Sequence, residues 1–310
     1  MTLVWLPFTG PDEVRRRLGD LPPGLEVDYY GAGGEDVPAS VDEVELYVLP
    51  YMQPGAKELM ARMPRLRVVQ TLTAGVDDVV PHVPDGVTLC NAAGVHDAST
   101  AELAVALMLA SGRHLDVFAR QQAESRWHSI NGTALADQRV LIFGHGRIGQ
   151  AIEARLAGFE VASITRVARR ARDEPLVHSS DELLDLLAET DVLVIIAPLT
   201  PETDRVIGAE ALSRLPDGAL VVNVARGRLV DTDALLAETS SGRLRAALDV
   251  TDPEPLPADH PLWRVPDVLI SPHVGGASSA FLPRADRLIK AQLARYAAGE
   301  PLINQVSTAR

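Results

Sequence analysis

Arg139-Val140-Leu141-Ile142-Phe143-Gly144-His145-Gly146-Arg147-Ile148-Gly149 decides how the rest of the chain is read. Val140 to Phe143 is an unbroken apolar run, as expected of a parallel strand covered on both faces. Gly144, Gly146 and Gly149 follow with G-x-G-x-x-G spacing. The first glycine permits a tight turn, the second lets a pyrophosphate approach the backbone, and the third lets a helix pack closely on the strand. A helix is expected from about Arg147 to Leu156, with its N-terminal N–H groups aimed at that anion. Strand, glycine turn and helix in this order predict a dinucleotide-binding unit. The same order also serves plain strand–turn–helix packing with no ligand.

The chain has 310 residues, enough for two domains, because one hydrophobic core seldom grows past about 250–300 residues. A net charge of −13 argues against a general nucleic-acid or anionic-membrane binder, yet leaves room for a local basic pocket. The single cysteine, Cys90, excludes an intrachain disulfide. It sits in an apolar run with Val87 and Leu89 and reads as buried and inert, and a reducing, cytoplasmic location is expected. The first residues lack a basic stretch followed by an apolar core, so no signal peptide is expected. No apolar run approaches the roughly 18 residues that a membrane span needs.

Strands are expected at Leu3–Phe8, Glu26–Tyr30, Val44–Leu49, Arg67–Leu72 and Val87–Cys90, with helices after the first strand and over Lys57–Met63. Gly31–Val41 is rich in Gly, Ala and Pro and reads as a loop. One long helix is expected over about Ala98–Gln122, capped by Ser99 or Thr100. Beyond the glycine turn, Phe159–Thr165, Asp191–Ala197, Ala219–Val224, Ala246–Val250 and Val268–Ser271 read as strands. Short helices alternate with them, and a last helix covers about Pro283–Ala298. Such alternation is an α/β pattern with parallel sheets.

Two side chains stand out at expected strand ends, where open α/β sheets bind ligands. Arg226 offers a planar, permanently charged fork that suits a carboxylate, though an arginine there also serves in structural salt bridges. His273 follows the last strand, and its imidazole can donate and accept a proton near neutral pH. Read alone, it is equally a satisfied structural histidine.

Asn223-Val224-Ala225-Arg226-Gly227-Arg228-Leu229-Val230-Asp231, Asp249-Val250-Thr251-Asp252-Pro253-Glu254-Pro255 and Ser271-Pro272-His273-Val274-Gly275-Gly276 accompany the glycine turn. So do Leu199-Thr200-Pro201-Glu202-Thr203 and Leu72-Thr73-Ala74-Gly75-Val76-Asp77. Together these motifs resemble the D-isomer-specific 2-hydroxyacid dehydrogenases, in the manner of the glyoxylate/hydroxypyruvate reductases, over nearly the whole chain. The resemblance implies two Rossmann-like doubly wound domains. A flavodoxin-like substrate domain would comprise 1–97 with 276–310, and an NAD(P)-binding domain 98–275. It implies hydride transfer between a 2-keto acid and a D-2-hydroxy acid. Arg226 would bind the carboxylate, His273 would act as acid and base, and Glu254 would orient His273 and favour its charged form. The turn at Ala74, Gly75 and Val76, with Leu72 beside it, would hold the substrate from the other domain across a closing cleft. Gly144, Gly146, Arg147, Ile148, Gly149, Val224, Ala225, Asp249 and Gly275 would contact the dinucleotide, with Pro198 and Thr203 on the adenosine side. No metal is implied, and a homodimer through the cofactor domain is.

NAD-preferring members carry an acidic residue at the end of the second strand of the dinucleotide unit. Here that strand is expected to end in Thr165-Arg166, with Arg169 and Arg170 close behind. An arginine there accommodates a 2′-phosphate, so NADP is the expected cofactor, with NAD as the other choice. The alternative for these arginines is a solvated face. Tyr51, Met52, Leu72, Thr100 and Trp127 are candidates for the substrate side-chain pocket, each with a structural reading beside it. A phosphite-type dehydrogenase and a dinucleotide-sensing corepressor share the resemblance. Ala74 in place of a lysine, and the compact length, favour a 2-keto acid enzyme.

Overall fold

The computed structural model describes residues 1–31 and 37–307. Of the loop expected at 31–41, residues 32–36 lie outside the described residues. The chain divides into Met1–His96 with Ser279–Arg310, and Asp97–Ser278. The breaks thus fall at 96/97 and 278/279, not at the expected 97/98 and 275/276. Asp97 opens a helix of the second unit, and Ser278 bonds Ser99 of that helix through their hydroxyls at 2.6 Å.

In the first unit, strands β1 (Thr2–Leu6), β2 (Leu25–Tyr29), β3 (Leu46–Val48), β4 (Val68–Gln70) and β5 (Thr88–Cys90) pair in parallel in the order β5-β4-β3-β1-β2. This is the flavodoxin-like strand order. Helix α1 (Pro11–Leu18) follows β1. Both faces of the sheet are covered. Val4, Leu6, Leu46 and Val48 pack on one side with Leu288 and Ile289, and Trp5, Tyr47, Val69 and Leu89 pack on the other. Over Lys57–Met63 the chain makes a 3-10 turn, Glu58–Arg62, rather than an α-helix.

The second unit begins with α2 (Asp97–Gly112) and α3 (Leu115–Ala123). The expected single helix is two, because the returning chain crowds Gly112: Thr133 N–H donates to Gly112 O at 2.7 Å, and a Cβ on Gly112 would lie 2.7 Å from Thr133 O. His114 then takes a left-handed φ of 54°. Ser99 and Thr100 lie inside α2 and do not cap it, since the helix already starts at Asp97. Next come β6 (Arg139–Phe143), α4 (Arg147–Leu156), β7 (Ser163–Ala168), β8 (His178–Ser179), α5 (Leu183–Leu186), β9 (Val192–Ile195) and α6 (Ala209–Arg214). The unit closes with β10 (Leu220–Asn223), α7 (Thr232–Ser240), β11 (Arg245–Leu248) and β12 (Val268–Ile270). The sheet order is β12-β11-β10-β9-β6-β7-β8, all parallel. This is the doubly wound dinucleotide-binding order, with the reversal between β6 and β9. Val140, Leu141, Ile142 and Phe143 are buried, so the apolar run of the opening motif is the centre of the sheet.

The chain then returns to the first unit through α8 (Phe281–Ala298), stopped by Gly299 at φ 67°, and β13 (Gln305–Val306). That last strand was not expected. It adds antiparallel to β5 and makes the first sheet six-stranded.

The expected end of the second dinucleotide strand is corrected. β7 runs two residues past Arg166, to Ala168, because Val167 pairs with Phe143 and is fully buried. Val167 O also accepts the N–H of Gly144 and of His145, at 2.8 and 2.9 Å. Thr165 and Arg166 are therefore mid-strand, and Arg169 to Arg172 leave the strand end beside the glycine turn.

Candidate active site

Five parallel strands of the second unit end at one edge of its sheet, and the motif residues follow them. Gly144 follows β6, Pro198 follows β9, Arg226 follows β10, Asp249 follows β11 and His273 follows β12. The glycine turn is tight for steric reasons. A Cβ on Gly144 would lie 2.3 Å from Ala197 N, and one on Gly149 would lie 2.4 Å from Gly144 O. Gly146 differs, because a Cβ there would meet nothing within 4 Å. The space above Gly146 adjoins the first turn of α4, which no side chain caps. Open room beside uncapped N–H donors fits the pyrophosphate of a dinucleotide. Arg147 lies at this helix start with its Nε on Asp97 at 3.0 Å. Farther along the edge, Thr203 Oγ1 donates to Pro198 O at 2.8 Å and closes the loop that joins these two residues.

Arg226 is placed by the buried Asn223, whose Nδ2 donates to Arg226 O at 2.8 Å and whose Oδ1 accepts Ala225 N–H at 3.1 Å. Gly227 is needed next, since any Cβ there would fall on Thr251 O. Arg226 Nη1 donates to Ala225 O at 2.8 Å, and the residue is half-buried. Val224 and Ala225 are buried under it.

His273 Nδ1 is hydrogen-bonded to Glu254 Oε1 across nineteen residues. The bond to Glu254 raises the imidazole's affinity for a proton, burial opposes this, and the Arg226 charge also opposes it. Nε2 makes no hydrogen bond among the described residues, so the ring is held by one nitrogen and presents the other. The Glu254 segment is itself pinned, with Thr232 Oγ1 on Asp252 O and Thr251 Oγ1 on Pro253 O, both at 2.8 Å.

Asp249 is buried and holds the loop that carries His273. Its carboxylate accepts Ser271 Oγ at 2.6 Å, Val274 N–H at 2.9 Å and Gly275 N–H at 2.8 Å. Gly275 is close-packed, with a Cβ there 3.0 Å from Asp249 Oδ2, and its carbonyl accepts Thr100 Oγ1 at 3.2 Å. Sequence reasoning placed Asp249 at the cofactor and did not foresee this anchoring role. Its signal was an acidic residue at a strand end followed, after the next strand, by Ser271 and Gly275.

Leu72, Ala74, Gly75 and Val76 belong to the first unit, after β4. Leu72 is buried in that unit's core, and the turn beyond it is half-buried. Asn91 Nδ2 holds the turn by donating to Ala74 O at 2.8 Å. Tyr51 packs on Phe281 with ring centroids 4.5 Å apart, whereas Met52 and Trp127 are exposed.

Arg166, expected at the cofactor, is ion-paired within the second unit. Its Nε and Nη2 fork onto Glu153 of α4 at 2.8 and 2.5 Å, and this pairing holds the Glu153 carboxyl below its usual range. Glu153 Oε2 also takes His145 Nε2 at 2.6 Å. Neither Glu153 nor His145 was singled out from sequence. The only signal was a titratable residue between the first two glycines.

A family model described as D-isomer specific 2-hydroxyacid dehydrogenase, NAD binding domain, matches residues 105–275. The chain is 32% identical over 274 residues to a glyoxylate reductase of Pyrococcus horikoshii, covering 84% of this chain and 82% of the relative. It is 32% identical over 261 residues to a glyoxylate reductase/hydroxypyruvate reductase of Homo sapiens, covering 78% and 77%. A D-isomer specific 2-hydroxyacid dehydrogenase from Xanthobacter autotrophicus Py2, solved in complex with NADPH and MES, superposes with a TM-score of 0.80 at 33% identity. The match covers 99% of this chain and 98% of that one. The chain belongs to the D-isomer specific 2-hydroxyacid dehydrogenase family, NAD(P)-dependent oxidoreductases that act on a CH–OH group. Among the described residues, no helix is long and apolar enough to cross a membrane.

Proposed function

We propose that the protein interconverts a small 2-keto acid, of the glyoxylate or hydroxypyruvate type, and its D-2-hydroxy acid, with NADPH preferred over NADH. The observation that carries this reading is the imidazole of His273, bonded to Glu254 through Nδ1 and within the field of Arg226. A nicotinamide dinucleotide, when bound, would supply the hydride that the keto carbon needs. Arg226 receives the carboxylate of the substrate and stabilises charge growing on its carbonyl oxygen. His273 delivers a proton from Nε2 to that oxygen, and Glu254 stabilises the imidazolium beforehand. In the reverse direction neutral His273 removes the hydroxyl proton. The turn at Ala74–Val76 is assigned to the substrate carboxylate on the resemblance.

The substrate class is supported by the activities named for the Pyrococcus and human relatives. The NADP preference is supported by the apolar Val167 near the second strand's end, by the arginines beyond it, and by NADPH in the Xanthobacter relative. We also assign a homodimer through the second unit. This assignment is supported by the continuous exposed run 122–134, which contains the fully exposed Trp127 and the exposed Ile130.

The test is oxidation of NADPH, with NADH in parallel, across a panel of 2-keto acids. Turnover of short, polar keto acids supports the reading. Dinucleotide binding without turnover of any panel member overturns it.

A further inference from the structure

The glycine turn carries a histidine, and that histidine carries an arginine. His145 is almost fully buried between Gly144 and Gly146. Arg172 Nη2 donates to His145 O at 2.9 Å and lies 3.3 Å from His145 Nδ1. A guanidinium can only donate, so Nδ1 accepts, and the ring hydrogen sits on Nε2 and is donated to Glu153. Glu153 is held in turn by Arg166. The backbone of Arg172 is fixed as well, by a two-way bridge to the buried Val177 at 2.9 and 2.8 Å. Arg172 is thus pinned at both its main chain and its head, beside the strand end where this fold reads the 2′-position of the adenosine ribose.

The two arginines differ in what they have left to offer. Arg166 spends Nε and Nη2 on a carboxylate, which also neutralises its charge. Arg172 bonds only a carbonyl and a ring nitrogen, and no carboxylate lies within ion-pair distance of it among the described residues. Its Nε and Nη1 make no protein hydrogen bond there. In a chain of net charge −13, this is an uncompensated cation at the lip of the glycine turn.

We propose that Arg172, latched onto the turn by His145, is the residue that discriminates NADP from NAD, and that Arg166 is its support through Glu153. This rests on the NADPH preference argued above. The fork is set before the ligand arrives, so little side-chain ordering is left to oppose binding. His145 is a positioning residue that acts through Arg172.

Calorimetric titration of the whole protein with NADP+ and with NAD+ tests this without turnover. Arg172→Ala should lower the NADP+/NAD+ affinity ratio by roughly tenfold or more, the scale of a lost charge-assisted phosphate bond. His145→Leu should lower the ratio in part, and His145→Gln, which can still accept from Arg172, should recover it. Arg166→Ala, which leaves Arg172 and His145 in place, should lower the ratio by less than His145→Leu does, because its own charge is already paired with Glu153. Retained NAD+ binding reports that each variant is folded. If the wild type favours NADP+ and Arg172→Ala keeps that ratio, the assignment to Arg172 is wrong. If the wild type binds NAD+ at least as tightly, it is the NADPH preference itself that fails.

Discussion

The N–H of His273 donates to the backbone carbonyl of Asp249 at 2.8 Å, so the proposed acid–base residue hangs from a buried carboxylate residue by its main chain. The Asp249 side chain holds the next two amides of the same loop. Asp249→Asn would turn one acceptor into a donor facing an N–H. The expected cost is about 1–3 kcal/mol of stability, that of an unsatisfied buried pair. Turnover should fall by on the order of 10²-fold through misplacement of the ring. Thermal unfolding and kcat measured together check this, and an intact kcat with a lowered melting temperature would refute the positioning role.

The pH profile should report on Glu254. Its bond raises the proton affinity of His273 above the ordinary histidine value, against the effects of burial and Arg226. Reduction needs the protonated ring, so the reductive rate should be full at low pH and be lost as pH rises through the raised pKa. Oxidation needs the neutral ring and should rise through the same pKa. In Glu254→Gln both limbs should move to lower pH. Profiles of kcat for the two directions decide it, and coincident wild-type and variant profiles would sink the pairing. His273→Ala should lower turnover by about 10²–10⁴-fold with dinucleotide affinity little changed.

Two glycines of one motif should respond oppositely. Gly149→Ala places a Cβ 2.4 Å from Gly144 O and 3.3 Å from Ile142 Cγ2, and overpacking of this kind costs about 1–3 kcal/mol. Gly146→Ala meets open space at an ordinary φ of −91°. Its melting temperature should hold, while dinucleotide affinity falls because the methyl group occupies the pyrophosphate's room. Calorimetry beside thermal unfolding separates the two, and unimpaired dinucleotide binding by Gly146→Ala would remove the pyrophosphate from that position.

Trp127→Asp should convert a dimer into a monomer in sedimentation at micromolar concentration, with little change in melting behaviour of the isolated subunit. The indole is fully exposed within the 122–134 run, so its replacement disturbs no packing inside the chain. A wild type that sediments as a monomer would end the dimer assignment.

Sequence alone determined what local covalent pattern controls. Val140–Phe143 had to be a doubly covered strand, because a period-free apolar run has no polar face to expose. The glycines had to be a turn, because only they avoid the clashes found at Gly144 and Gly149. Arg226 and His273 were legible as residue types at strand ends, and the motifs around them named the family. Tertiary structure alone decided where β7 stops, since pairing of Val167 with Phe143 sets that register. It split the long helix at Gly112, where a distant segment returns. It showed that Asp249 anchors the loop that carries His273. It also paired Arg166 with Glu153 and left Arg172 on His145. Which guanidinium stays uncompensated depends on where Glu153 and His145 project from a helix and a turn, and no spacing along the chain encodes that.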